Sequence, residues 1–142
     1  MNDTLVQKIQ SIQRCIHRTR SIYAQSGNHF LVDDYDAQDA AMLNIIRACE
    51  QAIDMANYLI KRDKLGIPTS SAESFILLAQ QGFISHDQAR KLTRMVGFRN
   101  LAVHEYQRID YTIVVNIIQE GLGDLIQFVD DIMERLTLED TR

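Results

Sequence analysis

Ala41, Ile45, Ala48, Ala52, Met55 and Leu59 recur every three or four residues, the spacing that turns one side of an α-helix toward a core. The same period runs through Leu5, Ile9, Ile12, Ile16 and Tyr23, and again through Ile113, Ile117, Leu125, Phe128, Ile132 and Leu136. Strand-type alternation is absent, and the β-branched residues of YTIVVNII fit a buried helix equally well. A chain patterned this way nearly end to end folds as a helical bundle.

Punctuation residues set the boundaries. A first helix is expected over residues 3–25, interrupted by SGNHFLVDDYD with its glycine, asparagine and aspartates. A longer one runs from Ala37 to about Lys64 and is closed by Gly66 and Pro68, the only proline. Ser70 with Glu73, and Ser85 with Gln88, have capping-box spacing, so SAESFILLAQQ forms a short helix stopped by Gly82 and a fourth helix begins after Ser85. Asp110 can cap the last helix. With 46% hydrophobic residues the chain has enough apolar side chains for one core and too little length for two ordinary domains. The expected fold is all-α, an up-and-down bundle of four main helices plus one short helix, in one domain over residues 1–142.

No unbroken apolar run approaches the ~18 residues of a membrane span, and MNDTLVQKIQ lacks the charged-then-apolar layout of a signal peptide. A cytoplasmic location is the expectation. Cys15 and Cys49 stand alone in amphipathic patterns and read as reduced core thiols. His17, His29 and His86 lack ligand spacing, and neither H-E-x-x-H nor a paired C-x-x-C occurs, so no metal or other cofactor is expected.

The net charge of −4 argues at first against a nucleic-acid partner, but the charge is unevenly spread. Lys8, Arg14, Arg18 and Arg20 face only Asp3 in the first 25 residues, and Arg90, Lys91, Arg94, Arg99 and Arg108 outweigh Asp87 and Glu105. Local potential matters more to an anionic ligand than the total does. Each cluster also fits a solvated helix face.

The second cluster holds an anomaly. The apolar stripe of the fourth helix runs Leu92, Met95, Val96 and then Val103, and the position that continues it between them is Arg99. A core-side arginine needs a partner or a cleft. Glu50 or Asp54 on the long helix is one candidate partner. His104 follows five residues later, well round an unbroken helix from Arg99 at ~100° per residue. The two converge only if the helix loosens or ends near Leu101 to Val103, or if they meet across two chains. Taken singly, His104 also reads as a helix-end histidine and Tyr106 as a packing residue with a wet hydroxyl.

Taken together, F-R-N-L-A-V-H-E-Y resembles the R-x-x-x-x-H motif of the HEPN superfamily in the R-N-x-x-x-H-x-Y form of its HepT-like toxins. RACEQAIDMANYLI, LGIPTSSAESFILLA and GFRNLAVHEY followed by QRID follow the HepT-like pattern in the same order, over roughly residues 5 to 135. The resemblance implies a metal-independent endoribonuclease, the toxin of a toxin-antitoxin pair, dimeric, with its cleft at the dimer interface. Arg99 and His104 match the catalytic positions and Asn100 the polar residue after the arginine. Tyr106 matches the tyrosine to which a minimal, MntA-like nucleotidyltransferase antitoxin transfers AMP. The alternative that the resemblance leaves open is a non-catalytic HEPN module that binds nucleotides or proteins and docks with a nucleotidyltransferase.

The chemistry of these residue types is consistent with RNA cleavage. It needs a base for the 2′-hydroxyl, an acid for the leaving oxygen and positive charge for the phosphorane. Histidine suits the proton transfers and arginine the phosphoryl oxygens. One His104 cannot easily stand on both sides of a phosphate, whereas two copies in a symmetric dimer can. Asn100 either contacts phosphate, fixes the histidine or caps a helix end. Arg90, Lys91, Arg94 and Arg108 either guide the RNA backbone or are simply solvated. An adenylate on Tyr106 would place charge and bulk beside His104.

Overall fold

Each helix that starts afresh does so on a side chain. In the computed structural model, which describes residues 2–141, Asn2 accepts from the Leu5 amide to open α1 (Asp3–Ser26) and Asp34 from Ala37 to open α2 (Tyr35–Asp63). Ser70 accepts from Glu73 at α3 (Ser71–Gln80), Ser85 from Gln88 at α4 (His86–His104), and Asp110 from Thr112 at α5 (Tyr111–Asn116). A cap of this kind is worth about 1 kcal/mol. It satisfies amides that have no partner inside the helix. A π turn, Ile117–Gly121, joins α5 without a break to α6 (Leu122–Asp140).

The helices stop for equally local reasons. Gly82, at φ 78°, ends α3 while the Phe83 amide reaches back to the Leu78 carbonyl at 3.0 Å, a left-handed close that favours glycine. The long helix ends at the expected place, one turn short of Gly66 and Pro68. Lys64 takes the left-handed conformation, and the Leu65 amide bonds to Ile60 at 2.9 Å, before Gly66 is reached.

The helices form an all-α, up-and-down bundle, and cross-helix contacts give its register. Lys8 pairs with Asp54 at 3.4 Å across the antiparallel α1 and α2, and Arg62 reaches Glu139 at 3.2 Å across α2 and α6. Phe75 of α3 meets Phe128 of α6 edge to face at 5.5 Å. The α2 stripe from Ala41 to Leu59 is buried throughout, as are Leu5, Ile9, Ile12 and Ile16. One cluster of buried apolar residues runs from Leu5 to Leu136.

Two expected core positions are not in it. Val103 is 46% exposed and Ile113 51%; Ala102 and Val114 hold the inward positions. In the last turn of α4 it is Ala102 that turns into the core, and Val103, one position on, turns outward. The π turn carries more residues per turn than an α-helix, so the stripe of α6 does not project back in register to Ile113. Taken as one rod, Tyr111–Asp140 is also long and apolar enough, by length and composition, to cross a bilayer, which a search for an unbroken apolar run does not register. Leu122, Leu125, Phe128 and Ile132 on that rod are buried in the bundle, as in the core helix of a folded domain.

Gly97 lies in mid α4, exposed, and a Cβ added there would meet nothing within 4 Å. Glycine costs a helix interior about 0.5–1 kcal/mol relative to alanine. Gly97→Ala should therefore raise stability by about that amount, read as a higher urea midpoint at unchanged slope. A lower midpoint would mean that something does press on this face.

Candidate active site at the end of α4

Arg99 does occupy the core side of α4, in line with Leu92, Met95 and Ala102, and is half-buried. Neither suggested carboxylate holds it. Asp54 is taken by Lys8, and among the described residues no ion pair to Glu50 or any other carboxylate forms. Among the described residues the guanidinium makes one hydrogen bond, Nη2 donating to Ser71 Oγ at 3.3 Å, and its Nε is buried with no partner. A buried unmet donor of this kind costs about 1–3 kcal/mol. An arrangement that tolerates it is ready for an anionic acceptor.

Beneath Arg99 lies Cys49, buried against α2's neighbours. Burial pushes its thiol up to about 12, against the opposing pull of the Arg99 charge. The thiolate is the reactive form, so Cys49 is inert at ordinary pH, and Cys15 is equally buried. We expect a soluble thiol reagent at pH 8 to modify neither cysteine in the native protein and both after unfolding in guanidinium. Native labelling on the timescale of mixing would contradict this packing.

The helix does not loosen before His104. It runs on through that residue, and the Glu105 amide closes it on the Leu101 carbonyl at 2.8 Å. Arg99 and His104 thus lie on one continuous helix. They stand about 140° apart around the helix and about 7.5 Å apart along it. Asn100 is exposed in mid-helix, so it is not a helix-end cap.

After His104 the chain turns through a 3₁₀ helix, Tyr106–Arg108. Residues 104–108 surround a shallow concavity of about 380 Å³. Tyr106 is 65% exposed there, and Leu101 and Val103 are exposed on the preceding turn. His104 is exposed too, so a proton donor or acceptor, a phenol hydroxyl and an uncovered apolar rim share one surface.

The basic residues separate. Arg90 and Lys91 share Asp87 at 2.9 and 3.3 Å, and Arg108 lies 3.6 Å from Glu105. These pairs are exposed and weak, so a phosphate can displace them. Helix geometry puts Arg90 within about 40° of His104, Arg94 about 80° away and Lys91 about 140° away. Lys91 and Arg94 instead line the groove between α4 and the π turn, with Phe98, Ile113 and Asp124. Burial raises the Asp124 carboxyl there, and the nearby Lys91 and Arg94 charges oppose the shift. The sequence reading missed Ser71. It is only the residue after a helix cap, and its contact with Arg99 spans 28 positions.

The all-α frame thus carries an arginine in the stripe of one helix and an exposed histidine at that helix's end. Residues 12–132 match the family model described as Ribonuclease HepT-like. The chain belongs to that family. It is 45% identical over 130 residues to the mRNA nuclease HepT of Shewanella oneidensis, covering 92% of this chain and 96% of the relative. It superposes with a TM-score of 0.88, at 42% identity over 94% of this chain and 99% of the other, on the tri-AMPylated HEPN toxin of that organism solved in complex with its MNT antitoxin. A cytosolic protein of unknown function from Bacillus subtilis, YutE, shares the fold alone, with a TM-score of 0.76 at 16% identity over 94% of this chain and 91% of that one.

Proposed function

We propose that this chain is the toxin of a toxin-antitoxin pair, a metal-independent endoribonuclease of the cytoplasm. Its active cleft is composite, with Arg99 and His104 from two copies facing one phosphate, and residues 1–142 act as one HepT-like domain. The observation that carries this is Arg99, a charge kept in an apolar stripe with a buried unmet donor and, among the described residues, no ion pair to a carboxylate. A scaffold that only docks with proteins has no use for such a group.

One His104 takes the proton of the 2′-hydroxyl, and the His104 of the second copy protonates the leaving oxygen. The Arg99 side chains hold the phosphoryl oxygens as charge builds on them. Since Arg99 and His104 diverge on one helix, pairing across two copies is the simplest route to convergence. The exposed Leu101 and Val103 next to His104 supply apolar surface for it. Asn100 supports the phosphate from the same turn, and Arg90, Lys91, Arg94 and Arg108 attract the RNA backbone.

Control comes from a partner resembling the MNT antitoxin that accompanies the Shewanella toxin. An MntA-like nucleotidyltransferase transfers AMP to the Tyr106 hydroxyl, placing a negative phosphodiester and a base over the concavity beside His104. The basic test is direct. Purified protein should cleave RNA in excess EDTA; a strict requirement for an added divalent ion would overturn the metal-independent mechanism.

A further inference from the structure

Arg99 is oriented by a neutral group on another helix. Its Nη2 donates to Ser71 Oγ at 3.3 Å, while Nε stays unmet. Ser71 is the first residue of α3, and that turn is held firmly. Ser70 Oγ accepts the Glu73 amide at 3.1 Å, Thr69 donates its hydroxyl to the Glu73 carboxylate at 2.7 Å, and Ser74 donates to Asn57 on α2 at 2.6 Å. The hydroxyl facing Arg99 thus stands on a fixed support. The same contacts commit Glu73, the acid of this turn, to Thr69.

The choice of partner has an electrostatic consequence. The start of a helix carries partial positive charge, so the N-terminus of α3 gives Arg99 no compensation and even opposes it. A carboxylate at position 71 would suit the helix start and would pair with the guanidinium, but it would also occupy the fork that a phosphate needs. A hydroxyl orients the fork and leaves its charge available.

We infer that Ser71 is the positioning residue of Arg99, presenting the guanidinium to the phosphoryl oxygens through a neutral hydrogen bond. This rests on the proposed role of Arg99 in RNA cleavage. Ser71→Ala removes the bond and should lower kcat about tenfold with a smaller change in KM, the scale of one hydrogen bond. Ser71→Thr keeps the hydroxyl and should restore kcat to within about twofold. Ser71→Asp should leave thermal stability unchanged or raised, because an acid favours a helix start. It should nevertheless lower kcat about a hundredfold or more, by pairing with Arg99.

The four proteins to compare are these three variants and Arg99→Ala, each assayed for RNA cleavage in EDTA and for thermal unfolding. Loss of activity in Ser71→Ala and Ser71→Asp, with rescue by threonine, supports the assignment. If Arg99→Ala is inactive while Ser71→Ala and Ser71→Asp keep kcat within twofold, the positioning role is wrong and the site stands. A threonine variant as impaired as alanine, or an effect confined to KM, also overturns it. If Arg99→Ala is itself active, the error lies in the site. Should Ser71→Asp fail to fold, the alanine and threonine pair still decides.

Discussion

Replacing His104 with alanine should lower RNA cleavage in EDTA by a factor of about 10²–10⁴, the usual contribution of a positioned acid or base. In a composite cleft both histidines are lost at once, so the upper part of that range is expected. The fold should hardly notice. His104 is exposed at the last helical position, and its imidazole has no hydrogen-bond partner among the described residues. A charged histidine at a helix C-terminus contributes about 0.3–1 kcal/mol, which bounds the change in unfolding midpoint. The measurement is cleavage of a labelled RNA beside a thermal melt of the same sample. Activity equal to that of the parent protein would remove His104 from the mechanism.

Tyr106→Phe should have the opposite character: cleavage persists and control is lost. The substitution removes only the hydroxyl, so the cleft keeps its shape. With ATP and an MntA-like nucleotidyltransferase the parent protein should gain the mass of AMP and fall silent, whereas the phenylalanine variant should gain none and remain active. Tyr111 is the obvious competitor and is poorly placed. It is half-buried, its ring lies edge-on to Phe30 at 6.4 Å, and burial raises its phenol above the ordinary value with Asp39 adding to the effect. Peptide mapping distinguishes the two. An adenylate found on Tyr111 would sink the assignment to Tyr106.

Much of this fold is legible in the residues because the information is local. The buried face of α2 follows from a period of 3.6 alone, and the caps at Ser70, Ser85 and Asp110 from side chains that answer amides two or three positions away. Errors arise where the answer depends on surroundings. Val103 continues a pattern but turns outward while its neighbour Ala102 is buried, and Ile113 stands before a π turn that no periodicity announces. The candidate site divides in the same way. Arg99 is visible as a charge that breaks a stripe, and His104 and Tyr106 by their place in a motif. The missing counter-ion of Arg99 and the role of Ser71 are matters of tertiary contact. No window of sequence contains them.

The final turn of α4 leaves Leu101, Val103 and His104 exposed, as Tyr106 is just after it, and this separates two kinds of constraint. Residues there contribute little to holding the molecule together, so most exchanges at Leu101, Val103, His104 or Tyr106 leave a protein that still folds. Substitutions that alter this edge therefore carry little structural penalty. Arg99 is the exception. It is half-buried on the core side of α4 and tied to a second helix through Ser71, so an exchange there disturbs packing as well as the edge.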